Sequence, residues 1–292
     1  MIRRAALAVC LVAALTMTST RGLLADTRYP VTGMVLTVDR ARHTFTASID
    51  AIPGFMKAMA MPFTVQDDTE LAALAPGAVV EFTLVVGTSA SHAEGIRVKR
   101  YESVEQDPLA ARRLSLVTQL ASGTLVNPVA AGAAVPDFTL IDQQRRRVRL
   151  SQFRGKVVAI NFMYTTCQLP DYCLRMVNHF GVLQKRLAAR LGRDLIFLTI
   201  TFDPLRDTPD VLARYAAQWA PVSPAWHFLT GPEPDIRRVL GTFGVSAFPD
   251  EGLMDHSLHT IVIRRDGTLA ANVEGNQYSS DQLADLLAAV LQ

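Results

Sequence analysis

Six side chains in this sequence carry sulfur or imidazole in arrangements suited to a soft metal ion. Cys167 and Cys173 stand six positions apart, with five residues between them, in NFMYTTCQLPDYCLRM (161–176). A tight redox turn wants C-x-x-C, and a zinc site wants further ligands nearby, so the pair fits neither pattern. His256, in MDHSLHT (254–260), is a candidate third donor. Two thiolates and one imidazole suit copper, particularly Cu(I), better than Mg or Ca. The competing reading of a lone histidine before a strand is a plain loop residue. Met56, Met59 and Met61 lie in AIPGFMKAMAMPFTV (51–65). Met59 and Met61 alternate on a strand and point to one face. Thioethers select Cu(I) and cannot be lost to disulfide formation, although core filling by methionine is the ordinary alternative.

Elements must bring these groups together. Residues 29–100 read as five short strands, VTGMVLTVD, TFTASID, MAMPFTVQ, AVVEFTLVV and GIRVKR, separated by turn residues. Five strands in so short a stretch predict a small closed all-β (OB-like) barrel, taken as residues 27–100. The pattern dissolves over 101–133, which reads as a linker with one short amphipathic stretch, PLAARRLSLVTQL. From Asp137 onward strands and helices alternate. FTLID and RVRL make a hairpin, and VVAINFMY and LIFLTITF are apolar runs of the kind buried on both faces. Met176, Phe180, Leu183, Leu187 and Leu191 recur at helical spacing. Thr208-Pro209 opens another helix, PDIRRVLG reads as a short third, and SSDQLADLLAAVL closes the chain as a fourth. The alternation predicts an α/β thioredoxin-like domain over 134–292. Cys167 then sits past the carboxyl end of a central strand and Cys173 in the first turn of the next helix, where open α/β sheets place their sites. Helix-terminal N–H groups there favour thiolate. The loop before HTIVIRR faces the same end, which brings His256 toward the sulfurs.

The first 25 residues read as a cleaved signal peptide, with Arg3 and Arg4 ahead of AALAVCLVAALTM and Ala25 before the cut. The apolar run is short for a membrane span, so no stable transmembrane anchor is expected. Val9 before Cys10 does not fit a lipoprotein signal. Removing this segment takes away Arg3, Arg4 and Arg21 and no acids, so the formal charge moves from +2 to −1. No basic face for nucleic acid is implied. An exported chain meets an oxidising compartment, where a Cys167–Cys173 redox disulfide can form. A purely structural bridge over so short a step would stabilise little.

FMYTTCQLPDYC, TITFDPLRDTPDVLARYA, FLTG and DHSLHTIVIRRDG occur in that order. Together they resemble the Sco (SenC-like) family of copper chaperones. The resemblance implies a thioredoxin-like fold, copper as the bound metal, a periplasmic location and a copper-accepting client such as a cytochrome oxidase subunit. It carries the copper ligands onto Cys167, Cys173 and His256. The cysteine loop departs from the commoner C-x-x-x-C-P form, with Leu174 where the proline would stand. Asp203 and Asp207 match the family's DP-x-x-DTP motif. Asp203 is expected to reach the site and Asp207 to belong to the helix start. The methionine segment resembles the small periplasmic CusF-like copper-binding barrels. That resemblance carries over Met59 and Met61, with Asp50 or a neighbour in place of a ligand histidine and Met56 where a tryptophan would cap the metal.

A thiol–disulfide oxidoreductase that reduces client cysteines before metallation is the alternative function. Peroxiredoxin chemistry fails on residues, because Tyr164 stands where that family has threonine. A ligand-free interaction module with a structural disulfide is the remaining option. No catalytic residue is assigned.

Overall fold

The computed structural model describes residues 26–99, 128–167, 169–219, 224–250 and 253–292. The expected signal peptide, and the expected linker as far as residue 127, lie outside the described residues.

Alternating apolar residues build the N-terminal sheet. Its strands are β1 (Thr27–Asp39), β2 (Thr44–Ile49), β3 (Met59–Thr64), β4 (Val79–Val86) and β5 (Ser91–Val98), paired antiparallel in the order β3-β2-β1-β4-β5. Val35, Ala47, Ile49 and Phe63 line the inner face, where the rings of Phe45, Phe63 and Phe82 meet. All five expected strands form, but the expected closed barrel does not. Edge strands β3 and β5 approach each other through one bridge, Val65–Ala93, rather than a ladder. Pro62 offers no N–H to a further strand. Gly95, at φ +65°, turns β5 out of regular extension. The result is a curled open sheet.

β1 breaks the alternation. Met34, Val35 and Leu36 are consecutive and all buried. Val35 points into the curled sheet, while Met34 and Leu36 join the core of the C-terminal domain. Burying each of these side chains contributes roughly 1.5–3 kcal/mol.

The C-terminal domain is a seven-stranded mixed sheet. Its strands are β6 (Thr139–Asp142), β7 (Arg147–Arg149), β8 (Val157–Met163), β9 (Leu195–Thr201), β10 (Trp226–Thr230), β13 (His259–Ile263) and β14 (Leu269–Glu274), ordered β14-β13-β8-β9-β10-β6-β7. β8, β9 and β10 run parallel, and β13 is antiparallel to β8. Every residue of β8 and β9 is buried, as their continuous apolar runs require. The helices are α1 (Arg175–Arg186), α2 (Pro209–Ala216), α3 (Glu233–Phe243) and α4 (Ser280–Leu291). α1 ends earlier than its apolar spacing predicts, because Leu187 leaves helical geometry at φ −106°, ψ 22°. α4 starts on a reciprocal cap, in which Ser279 and Gln282 each accept from the other's backbone N–H. A hairpin, β11 (Ala247–Asp250) and β12 (Leu253–His256), lies outside the main sheet. No helix among the described residues is long and apolar enough to cross a membrane.

Candidate metal centre

Strand direction assembles the site. β8 ends at Met163, and its continuation carries Cys167 past the edge of the sheet. β13 pairs antiparallel with β8, Thr260 opposite Asn161, so the start of β13 lies at the same end. His256 closes β12 just ahead of it. The expected pre-strand loop is therefore a hairpin terminus, with Ala247 opposite His256. Ser257 donates its N–H to the carbonyl of Ser246, and its hydroxyl accepts from the Ser246 N–H, both at 3.0 Å. This double clamp fixes the imidazole.

Cys173 sits in a wide turn, Pro170–Leu174, that runs directly into α1. Tyr172 in that turn has φ −110° and ψ −111°, so Cys173 precedes the regular helix rather than occupying its first turn. Asn161, from β8, donates to the carbonyl of Met176 at 2.9 Å and ties the start of α1 to the sheet.

The two sulfurs and the imidazole converge. The ligand atoms of Cys167, Cys173 and His256 all lie within 4.8 Å of one another, and Cys173 Sγ is 3.4 Å from His256 Nε2. Metal bonds of roughly 2.0–2.3 Å space three coplanar donors roughly 3.5–4 Å apart, so a small inward adjustment seats an ion. This is the one such group of three among the described residues. His256 Nδ1 lies 3.2 Å from the carbonyl oxygen of Ser257. Nδ1 thus faces a backbone acceptor and Nε2 faces the sulfurs, the nitrogen placed to ligate a metal. Tyr164 and Phe202 flank the ring at centroid distances of 5.9 and 4.6 Å and hold it upright.

Both cysteines are free thiols, Cys173 buried and Cys167 partly exposed. They titrate as a pair. The Cys173 thiol donates to the Cys167 sulfur and brings the Cys167 pKa down to about 4 against the opposing effect of burial. Burial pushes Cys173 well up, and the neighbouring Cys167 charge adds to it. The site thus keeps one thiolate ready and yields the second proton to an incoming cation. Burial first, then the charge on Cys167, raises Tyr164 to about 12, so its phenol stays neutral.

Asp207 rather than Asp203 is the aspartate that reaches the cysteine loop. Asp203 pairs with Arg206 at 3.0 Å and, among the described residues, accepts nothing from the cysteine loop. Asp207 is buried and accepts from the Thr165 N–H at 3.1 Å and from the hydroxyls of Thr165 and Thr201. It holds the chain two residues before Cys167. Thr165, two residues ahead of the cysteine, was the available sequence signal.

In the N-terminal sheet, Met59 pairs with Ile49 and Met61 with Ala47, on the inward face they share with Phe63. Met61 is partly buried against the core and Met59 is half exposed at its rim. Met56 belongs to a tight turn closed by Ile52, and the preceding Phe55 stacks on Tyr29 at 4.2 Å. The Asp50 carboxylate accepts from Gln282 of α4 at 3.3 Å instead of standing free beside the methionines.

Residues 127–292, more than half of the chain, match the family model described as SCO1/SenC. The chain belongs to this family. Within the SCO1/SenC part, an SCO2-like protein of Rickettsia typhi is 33% identical over 137 residues, which cover 44% of this chain and 64% of that protein. The mitochondrial protein SCO2 homolog of Bos taurus is 32% identical over 156 residues, 51% of this chain and 56% of the relative. The matches thus span less than two thirds of either relative's length. The crystal structure of a SCO1/SenC family lipoprotein from Bacillus anthracis superposes with a TM-score of 0.50 at 21% identity, over 55% of this chain and 96% of that one. This shows the shared thioredoxin-like fold. Residues 28–96, ahead of the SCO1/SenC domain, match the model described as copper binding periplasmic protein CusF.

Proposed function

We propose that this chain is an exported copper chaperone that carries Cu(I) on Cys167, Cys173 and His256 and delivers it in the periplasm to a copper site of a respiratory cytochrome oxidase. The convergence of two sulfurs and one imidazole nitrogen within 4.8 Å carries this reading. Copper is the cargo. Two soft donors and one borderline donor match Cu(I), whereas a structural zinc ion wants a fourth ligand. A three-donor site also leaves room for an acceptor's ligand to enter, and release to a client needs that. Membership of the SCO1/SenC family supports the role in oxidase assembly.

Met59 and Met61, with Met56 at the turn, form a second Cu(I) site, supported by the inward-facing register of β3 and the CusF match over 28–96. Thioethers need no deprotonation and survive an oxidising compartment, so this site stays competent when Cys167 and Cys173 are joined as a disulfide. The same pair also allows thiol–disulfide exchange with a client, the partly exposed low-pKa Cys167 being the attacking sulfur. That second reading uses the same site in its copper-free state.

An anaerobic Cu(I) titration of the reduced chain from residue 26 onward tests the reading. Two equivalents are expected to bind, falling to one in the Met59→Leu/Met61→Leu protein and to one in the Cys167→Ser/Cys173→Ser protein. Binding of a single equivalent that survives both pairs of substitutions contradicts it.

A further inference from the structure

The two halves of the chain do not meet by accident of tethering. The outer face of β1 places Met34 and Leu36 in the C-terminal core. Gly77, at φ +87°, approaches so closely that a Cβ there would lie 2.8 Å from Val273 and 3.1 Å from Ala271, both on β14. Ser48 on β2 donates to Asp285 on α4 at 2.7 Å, and Gln282 reaches the Ser48 carbonyl and the Asp50 carboxylate at 3.3 Å. Ser48 and Gln282 are themselves buried. A dry apolar centre with satisfied polar groups at its edge is the anatomy of a specific interface.

The contact also sets direction. Asp50 immediately precedes the turn that carries Met56 and leads into Met59. Its partner Gln282 lies in the first turn of α4. Asn276, just ahead of that helix, donates its side-chain amide to the carbonyl of Asp171, inside the loop between Cys167 and Cys173. One short segment, 276–282, therefore touches both Asp50, at the entrance to the methionine turn, and the cysteine loop. β14 runs antiparallel to β13, which places the start of α4 at the Cys167 end of the sheet.

The geometry points to a transfer contact built into the fold: the β1–β2 face seats on α4 and β14 so that Cu(I) passes from the methionine end to the cysteine end within one docked chain. This rests on the copper reading above. The step is ligand exchange without electron transfer. Copper–thioether bonds break as two copper–thiolate bonds and one copper–imidazole bond form, and the Cys173 proton goes to solvent. Docking holds donor and acceptor at an effective concentration above what a free tether supplies.

The test loads the oxidised chain from residue 26 with one Cu(I), reduces the disulfide with a reductant that does not bind copper, and follows the growth of thiolate–copper absorption. Solution scattering reports docking in parallel. Two interface variants, Gly77→Leu and Ala271→Arg, push side chains into the seam from opposite sides. The wild-type protein should scatter as one compact body and transfer copper at a rate independent of protein concentration. Both variants should scatter as an extended pair and transfer about tenfold more slowly or worse, while still binding two Cu(I). Retained stoichiometry shows that each half has folded and that the copper reading stands. An extended wild-type profile, or unchanged transfer in the extended variants, overturns the docked relay. Loss of either binding equivalent from the wild-type protein overturns the copper reading instead.

Discussion

Replacing Cys167 or Cys173 with serine is expected to lower Cu(I) affinity of the C-terminal site by about 100–1,000-fold each, and replacing both to abolish it. Structural metal sites with four donors are worth roughly 10–16 kcal/mol, so one donor supplies roughly 3–4 kcal/mol, and 1.4 kcal/mol is tenfold in affinity. The two cysteines should differ in mechanism. Cys167 presents the charge already in place, held down to about 4 by the Cys173 thiol. Cys173 must give up its proton, which burial resists. Cys167→Ser should therefore remove the standing thiolate and with it the pull on the incoming cation. His256→Ala should cost less than either, because a neutral nitrogen is exchanged for water. Competition against a chromophoric Cu(I) chelator measures all three. Equal affinity in the double cysteine variant would sink the assignment.

The second large effect falls on Asp207, which touches no metal. Asp207→Ala should destabilise the fold by about 2–4 kcal/mol, since it strands the part-buried Thr165 N–H and hydroxyl and the buried Thr201 hydroxyl. Asp207→Asn should cost far less, because hydroxyl rotors adapt and the buried charge disappears. The pH dependence separates the two. Burial raises the Asp207 pKa above its ordinary 3.8, so the unfolded chain ionises first as pH rises. The aspartate's contribution is intact below about 4 and declines as pH climbs toward the raised folded value. Relative to wild type, the asparagine variant should gain stability over that rise, as read by urea unfolding at several pH values. A constant difference between the two would show that Asp207 titrates no differently in the folded state. Freed from Asp207, the chain before Cys167 should also bind Cu(I) more weakly in the alanine variant.

The sheet elements were legible because their apolar runs are long and uninterrupted. VVAINFMY and LIFLTITF could only be strands buried on both faces, and they are. The convergence on His256 was legible through the expected thioredoxin-like sheet and the Sco resemblance, and the structure supplies its reason: an antiparallel β13 beside β8 must start where β8 ends. Three things were not legible. The hairpin carrying His256 was read as loop, since AFPD and LMDH are too short to show a period. The role of Asp207 depends on Thr165, 42 positions away, a separation that no local pattern encodes. The seam between the domains was written in Met34, Val35 and Leu36, three consecutive apolar residues in a strand that otherwise alternates. A strand of an isolated curled sheet has no use for outward-facing Met34 and Leu36; only a second body covering that face explains them. Closure of the sheet failed on Pro62 and Gly95, both visible beforehand but overridden by the count of five strands.

Copper K-edge X-ray absorption on the reduced protein tests the central claim most directly. The Met59→Leu/Met61→Leu chain, loaded anaerobically with one Cu(I), leaves the C-terminal site as the one to be read. The account predicts two sulfur scatterers and one imidazole nitrogen in the first shell, with the nitrogen lost in His256→Ala and the sulfurs lost in Cys167→Ser/Cys173→Ser. A shell without sulfur, or one unchanged by those substitutions, would contradict it.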